Sequence, residues 1–167
     1  VGQFPTEAIQ MMDRIAIQVE SDPNYANLVH ATRTMPQPTA HDAIAAAAHA
    51  IADTVKLAAI VCFTATGSTA LRVARERPGL PVIGLTPVHA TAQRLALVWG
   101  IHAILTSDPD KLSDMVRKAC KLAFDSGFVK AGEGILITAG VPLGSPGTTN
   151  MIRIAYVDES GLPVGGG

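Results

Sequence analysis

Between residues 56 and 157, four short apolar runs (58–63, 81–85, 102–105 and 134–138) alternate with stretches of helical spacing at about 68–77, 89–99 and 110–126. Strands that alternate with helices in this way form βαβ units around a mostly parallel sheet. A last run, 151–157, sets Ile152, Ile154 and Tyr156 against Arg153 and Ala155. It follows a loop with no helix between, so it is expected to pair antiparallel at an edge. The expected fold is α/β: a three-layer αβα sandwich with a mostly parallel five-stranded sheet and an antiparallel edge strand.

The chain has 167 residues, enough for one domain with a sizeable core. With 48% hydrophobic and 16% charged residues it is too apolar and too weakly charged for intrinsic disorder. Thirteen basic against fourteen acidic side chains leave a net charge of −1, and no polybasic run stands out. Neither a nucleic-acid partner nor a membrane surface is indicated. No apolar stretch approaches the roughly 20 residues that span a bilayer. The start, Val1-Gly2-Gln3-Phe4-Pro5, lacks the basic and apolar regions of a signal peptide. Cys62 and Cys120 have no partner at disulfide or metal-ligand spacing and read as small buried hydrophobes. A reducing cytoplasm is the expected location.

Ahead of the alternation, residues 5–20 carry Ala8, Ile9, Met12, Ile15, Ala16 and Val19 at helical spacing, with Pro5 suited to the first helical position. Asp22-Pro23 stops this helix, and residues 23–38 read as a linker. Thr39 then opens a helix, with Asp42 three residues on in the manner of a capping box. Its expected buried stripe is Ile44, Ala47, Ala48, Ile51 and Val55, and its many alanines imply close packing on a sheet. The expected boundaries are 1–22, a helix foreign to the alternation; 23–38, linker; 39–157, the α/β domain; and 158–167, a glycine-rich disordered tail.

Ligands of open α/β sheets bind beyond the carboxyl ends of the strands. Two loops there stand out. Thr64-Ala65-Thr66-Gly67-Ser68-Thr69 joins a buried strand to a helix and offers four hydroxyls, a glycine and the N–H groups of a helix start. That set suits a phosphate, and equally an ordinary turn whose hydroxyls cap the helix. The second loop spans residues 140–150, with three glycines and two prolines before Thr148-Thr149-Asn150. Such a loop is either functional or a wide connection needing glycine conformations. By topology both lie at one end of the sheet.

Other chemistry is not signalled. The five histidines (His30, His41, His49, His89, His102) form no HxH or HExxH pair, no serine sits in a GxSxG elbow, and no carboxylate pair has a metal or lysine partner. Arg72, Arg75 and Arg77 read as a solvated helix face. Residue chemistry stops at a phosphate-binding α/β domain with no catalytic centre and no metal site.

The ordered motifs then resemble the C-terminal domain of pyruvate kinase. Thr64-Ala65-Thr66-Gly67-Ser68-Thr69-Ala70, continued by Val73-Ala74-Arg75-Glu76-Arg77-Pro78, is similar to that family's Thr-x-Ser-Gly-x-Ser-Ala…Ala-Arg-x-Arg-Pro segment. Pro81-Val82-Ile83-Gly84-Leu85-Thr86 resembles its next strand, and Ala92-Gln93-Arg94-Leu95-Ala96-Leu97-Val98-Trp99-Gly100-Ile101 its next helix. Pro146-Gly147-Thr148-Thr149-Asn150 resembles the end of its last loop in bacteria, and Gly2-Gln3-Phe4-Pro5-Thr6-Glu7-Ala8-Ile9 the last helix of its catalytic barrel. The resemblance covers residues 1 to about 157.

It implies a piece of an enzyme that moves a phosphoryl group between phosphoenolpyruvate and ADP in glycolysis. The catalytic groups, with the magnesium and potassium ligands, would lie in an upstream barrel, so no cofactor is expected in this chain. It also implies a homo-oligomer, a tetramer for the full-length enzyme. In effector-regulated members the first loop holds a phosphate of a sugar-phosphate activator and the last loop closes over it. By position, Thr64, Thr66 and Thr69 would supply hydroxyls and Gly67 and Ser68 N–H groups. Gly144, Ser145, Gly147, Thr148, Thr149 and Asn150 would form the closing loop. Ala65 and Ser68 stand where many members carry charged side chains, which points away from a bisphosphate and toward a monophosphate or an unregulated site of the same shape. The alternative reading is a free-standing phosphate-ligand sensor without catalysis; a barrel-like helix at residues 5–20 has no purpose there.

Overall fold

A computed structural model describes residues 2–31, 35–142 and 148–165. Two compact units result, Val1–Met35 and Pro36–Gly167.

The first unit holds α1 (Pro5–Glu20) and α2 (Tyr25–Ala31). Pro5 sits at the start of α1, where its missing N–H costs nothing. No residue of α1 is buried, and Ile9, Met12 and Ile15 are more than half exposed. α2 lies inside the stretch read as a linker. Its seven residues make about two turns, too few to display an apolar period. The Asp22 carboxylate accepts from the Asn24 N–H at 2.7 Å just ahead of it.

The second unit runs α3 (Ala40–Val55), β1 (Ala59–Phe63), α4 (Ser68–Arg75), β2 (Val82–Thr86), α5 (His89–Leu95), β3 (Ile101–Leu105), α6 (Leu112–Asp125), β4 (Gly134–Gly140) and β5 (Thr149–Tyr156). The strands form one sheet in the order β3-β2-β1-β4-β5, parallel except for the antiparallel β4–β5 pair. The expected sheet is therefore the observed one. Connection handedness sets the layers. From β1 to β2 to β3 the chain steps outward, then returns past both to reach β4. Right-handed crossovers in opposite directions put their helices on opposite faces.

The side chains agree. Ile60, Cys62, Val82 and Leu136 pack with Ala45, Ala48 and Ala52 of α3, Ala70 and Val73 of α4 and Leu95 of α5. Val61, Ile83, Leu85, Ile135 and Ile137 pack on the other face against Met115, Val116, Ala119, Cys120 and Ala123 of α6. The buried line of α3 is Asp42-Ala45-Ala48-Ala52, displaced from the expected one. Ile44 and Ile51 are half-buried flanks and Val55 is exposed, because methyl side chains let the helix lie close to the sheet while larger ones must splay to its sides.

Residues 158–165 of the expected disordered tail form a tight turn, and residues 166–167 lie outside the described residues. Asp158 Oδ1 accepts from Ser160 N, Ser160 Oγ and Leu162 N at 2.7–2.9 Å, and Val157 bridges to Pro163. These bonds are turn chemistry that a glycine-rich composition obscures. They hold the Asp158 carboxyl below the usual carboxylate range, the Ser160 side-chain bond first. Among the described residues no helix is long and apolar enough to cross a membrane.

Candidate functional site at the carboxyl ends of β1 and β4

β1 and β4 are neighbours, yet the chain leaves β1 toward α4 on one side and leaves β4 toward β5 on the other. This is the switch point at which an open α/β sheet forms a crevice, and it brings the two singled-out loops together. Gly67 makes the turn into α4 with φ +88°, and a Cβ there would stand 3.3 Å from Leu95 Cδ2. A left-handed conformation with so little room suits glycine.

The residues of the first loop divide into two groups. Thr64 and Thr69 point inward and are buried. Thr64 Oγ1 accepts from the Gly67 N–H at 2.9 Å and so folds the turn. Thr69 Oγ1 lies 2.6 Å from Thr149 Oγ1. Thr66 is exposed and Ser68 half-exposed, their hydroxyls 3.2 Å apart. Leu71 N makes the first bond of α4, to Gly67 O, so the amides of Ser68, Thr69 and Ala70 precede the helical ladder.

The second loop is described at its two ends. Thr148, Thr149 and Asn150 lie beside the first loop's strand neighbour, whereas Gly144, Ser145 and Gly147 lie outside the described residues. The Asn150 side chain grips Val141, accepting from its N–H at 2.8 Å and donating to its carbonyl at 2.7 Å. Thr149 O accepts from His41 Nδ1 at 3.2 Å.

Sequence reasoning missed Arg94. Its guanidinium donates to Thr91 Oγ1 at 3.1 Å and to Thr66 O at 3.5 Å, while Thr91 Oγ1 donates to Ala65 O at 2.9 Å. An exposed cation with neutral partners thus stands on the rim of the Thr64–Thr69 turn. The contact spans 28 positions; the only signal in the sequence is that Thr91 and Arg94 share one face of α5.

The arginines expected to form a solvated face are engaged instead. Asp42, 2% exposed, accepts from Arg72 Nε at 3.1 Å, Arg75 Nη2 at 2.8 Å and Gln37 N at 3.0 Å. The bond from Arg75 first, and then that from the Gln37 amide, hold the Asp42 carboxyl below the usual range; the same pairing raises Arg75. Thr39 Oγ1 accepts from Asp42 N at 3.3 Å, so half of the capping box forms while the carboxylate turns to the arginines. Arg77 lies over the Trp99 ring, 4.3 Å from its centroid.

Burial pushes the Cys62 thiol well up and the Cys120 thiol to about 11, which leaves both unreactive at neutral pH. Among the described residues no group of three or more His, Cys, Asp or Glu side chains could hold a metal ion. The magnesium that the resemblance implies finds no such carboxylate set among them. Among the described residues this end of the sheet offers anion chemistry: a helix start, the hydroxyls of Thr66 and Ser68, and the Arg94 guanidinium.

Residues 42–155 match the family model described as "Pyruvate kinase, alpha/beta domain". A pyruvate kinase of Methylorubrum extorquens is 51% identical over 156 residues, 93% of this chain and 33% of that one. One of Agrobacterium vitis is 35% identical over 153 residues, 92% of this chain and 32% of that one. Among solved structures, a pyruvate kinase from Cryptosporidium parvum superposes with a TM-score of 0.80 at 26% identity, covering 93% of this chain and 30% of the other. The chain thus spans about a third of the length of the curated relatives it matches. A family match across most of the α/β unit and the likeness of its fold agree: this chain belongs to the pyruvate kinase alpha/beta domain family.

Proposed function

We propose that the chain is the C-terminal regulatory and oligomerisation domain of a pyruvate kinase, and that its Thr64–Thr69 loop binds the phosphate of a sugar-phosphate effector. The full-length enzyme would transfer a phosphoryl group between phosphoenolpyruvate and ADP, with magnesium and potassium held by residues of an upstream barrel. It would work in the cytoplasm as a homo-oligomer, a tetramer by family resemblance. The membership of the α/β unit in the family supports the enzyme assignment. The exposed stripe of Ile9, Met12 and Ile15 fits a helix that packs on further chain of the same protein. Two buried free thiols suit a reducing compartment.

The observation that carries the effector reading is the bond from the exposed Arg94 guanidinium to the Thr66 carbonyl, beside the Thr64–Thr69 turn. It supplies at the rim one positive charge that Ala65 and Ser68 do not. Among the described residues one exposed guanidinium stands beside this helix start, which favours a single phosphate over two. Calorimetric titration with inorganic phosphate, sugar monophosphates and sugar bisphosphates tests this on the wild type and on Thr66→Asp. A sugar monophosphate should give a saturable heat that Thr66→Asp removes by like-charge repulsion while the fold persists. No heat from any phosphorylated sugar, or a heat that the substitution leaves unchanged, would contradict it.

A further inference from the structure

One residue at the start of β5 ties together three elements of the α/β unit. Thr149 is 4% exposed. Its hydroxyl meets that of Thr69, in the first turn of α4, at 2.6 Å, and its carbonyl accepts from His41 Nδ1, in the first turn of α3, at 3.2 Å. Directly after it the β4–β5 ladder carries one extra residue. Gly140 pairs with Thr149 while Ala139 pairs with Met151, which leaves Asn150 as a bulge. Bulges bend a strand and re-aim a side chain; here the bulged Asn150 amide bonds both backbone groups of Val141. On the facing side, a Cβ added at Gly140 would collide with Thr148, so the two ends of the last loop are drawn into close contact.

The hydroxyl pair gives this junction its stiffness. Both oxygens are withdrawn from water, and each is the other's partner. Parting them leaves two buried polar groups unpaired, so neither loop shifts without the other unless that cost is met. Each hydroxyl has a single proton and can accept as well. An anion that drew the Thr69 proton would make Thr149 the donor within the pair, and the link would survive binding with its direction set.

We propose that Thr149 is a positioning residue that couples the base of the last loop to the first turn of α4, so that a displacement of either segment reaches the other. As regulation of the effector site this rests on the reading given under the proposed function. The coupling itself needs no ligand, and it is tested without one.

The test is hydrogen exchange on the 167-residue chain, followed by mass spectrometry, for Thr149→Val, Thr69→Val, the double variant and Thr149→Ser. Each valine substitution should speed exchange roughly tenfold, the scale of one lost buried partner, in residues 67–71 as well as 139–142 and 149–151. Thr149→Ser should restore the wild-type rates. The double variant should fall short of the sum of the singles, because it removes both hydroxyls together. Acceleration confined to residues 139–151 in Thr149→Val, or additive effects in the double variant, would overturn the proposal. If Thr149→Val loosens the core strands throughout, Thr69→Val decides: its effect must reach residues 149–151 for the coupling to stand. Intact coupling with no phosphate heat would remove the effector reading alone, and phosphate heat with uncoupled loops would remove this one alone.

Discussion

Asp42 at the start of α3 and Arg75 at the end of α4 meet at 2.8 Å, and Asp42 is 2% exposed. Arg72 and the Gln37 amide complete its partners. The pair locks together two of the three helices that cover one face of the sheet.

Its protonation should therefore register in stability. The Asp42 carboxyl is held below its ordinary value by Arg75 first, so it binds protons less readily folded than unfolded. Its contribution is complete above the unfolded value of about 4 and is lost as pH falls through the lower folded value. Asp42→Asn should lower the melting temperature at pH 7 and flatten the loss of stability between about pH 4 and 2 relative to wild type. Thermal melts across that range check it; parallel curves for the two proteins would be the contrary result.

Gly67→Ala should destabilise the α/β unit. A left-handed residue with a Cβ costs about 1–2 kcal/mol, and Leu95 at 3.3 Å would have to give way as well. Urea unfolding monitored by circular dichroism measures this, with a loss of that size expected and an unchanged midpoint as the contrary result.

Much of this fold was legible in the chain. Strand runs such as Ile60-Val61-Cys62 are buried on both faces and so read as continuous apolar stretches, and the helices between them carry their own period. What was hidden had specific causes. α2 is too short for a period. The buried line of α3 is made of alanines, which also mark plain helix propensity, so the larger isoleucines beside it drew the expected stripe off by one position. The candidate site was legible where it is local, as in the Thr64–Thr69 turn. The pairing of Asp42 with Arg72 and Arg75 joins residues 30 and 33 positions apart, and that of Thr69 with Thr149 spans 80. Spacing within one element carries no trace of either.

Arg94→Ala should act on binding alone. The side chain is exposed and bonds neutral partners, so stability should stay within about 0.5 kcal/mol of wild type. Affinity for a sugar monophosphate should drop roughly fivefold, the scale of an exposed charge–charge contact. Paired melts and calorimetric titrations separate the two; an unchanged affinity would take Arg94 out of the site.

The most direct measurement of the central claim is a titration of the nitrogen-15-labelled chain with a sugar monophosphate, followed by amide NMR. The amides of Thr66, Gly67, Ser68 and Thr69 and the Arg94 side chain should shift together along one saturable curve, and Thr66→Asp should abolish those shifts while leaving the rest of the spectrum in place. Saturable shifts located elsewhere, or no shift at these five residues up to millimolar ligand, would show that the turn only caps α4.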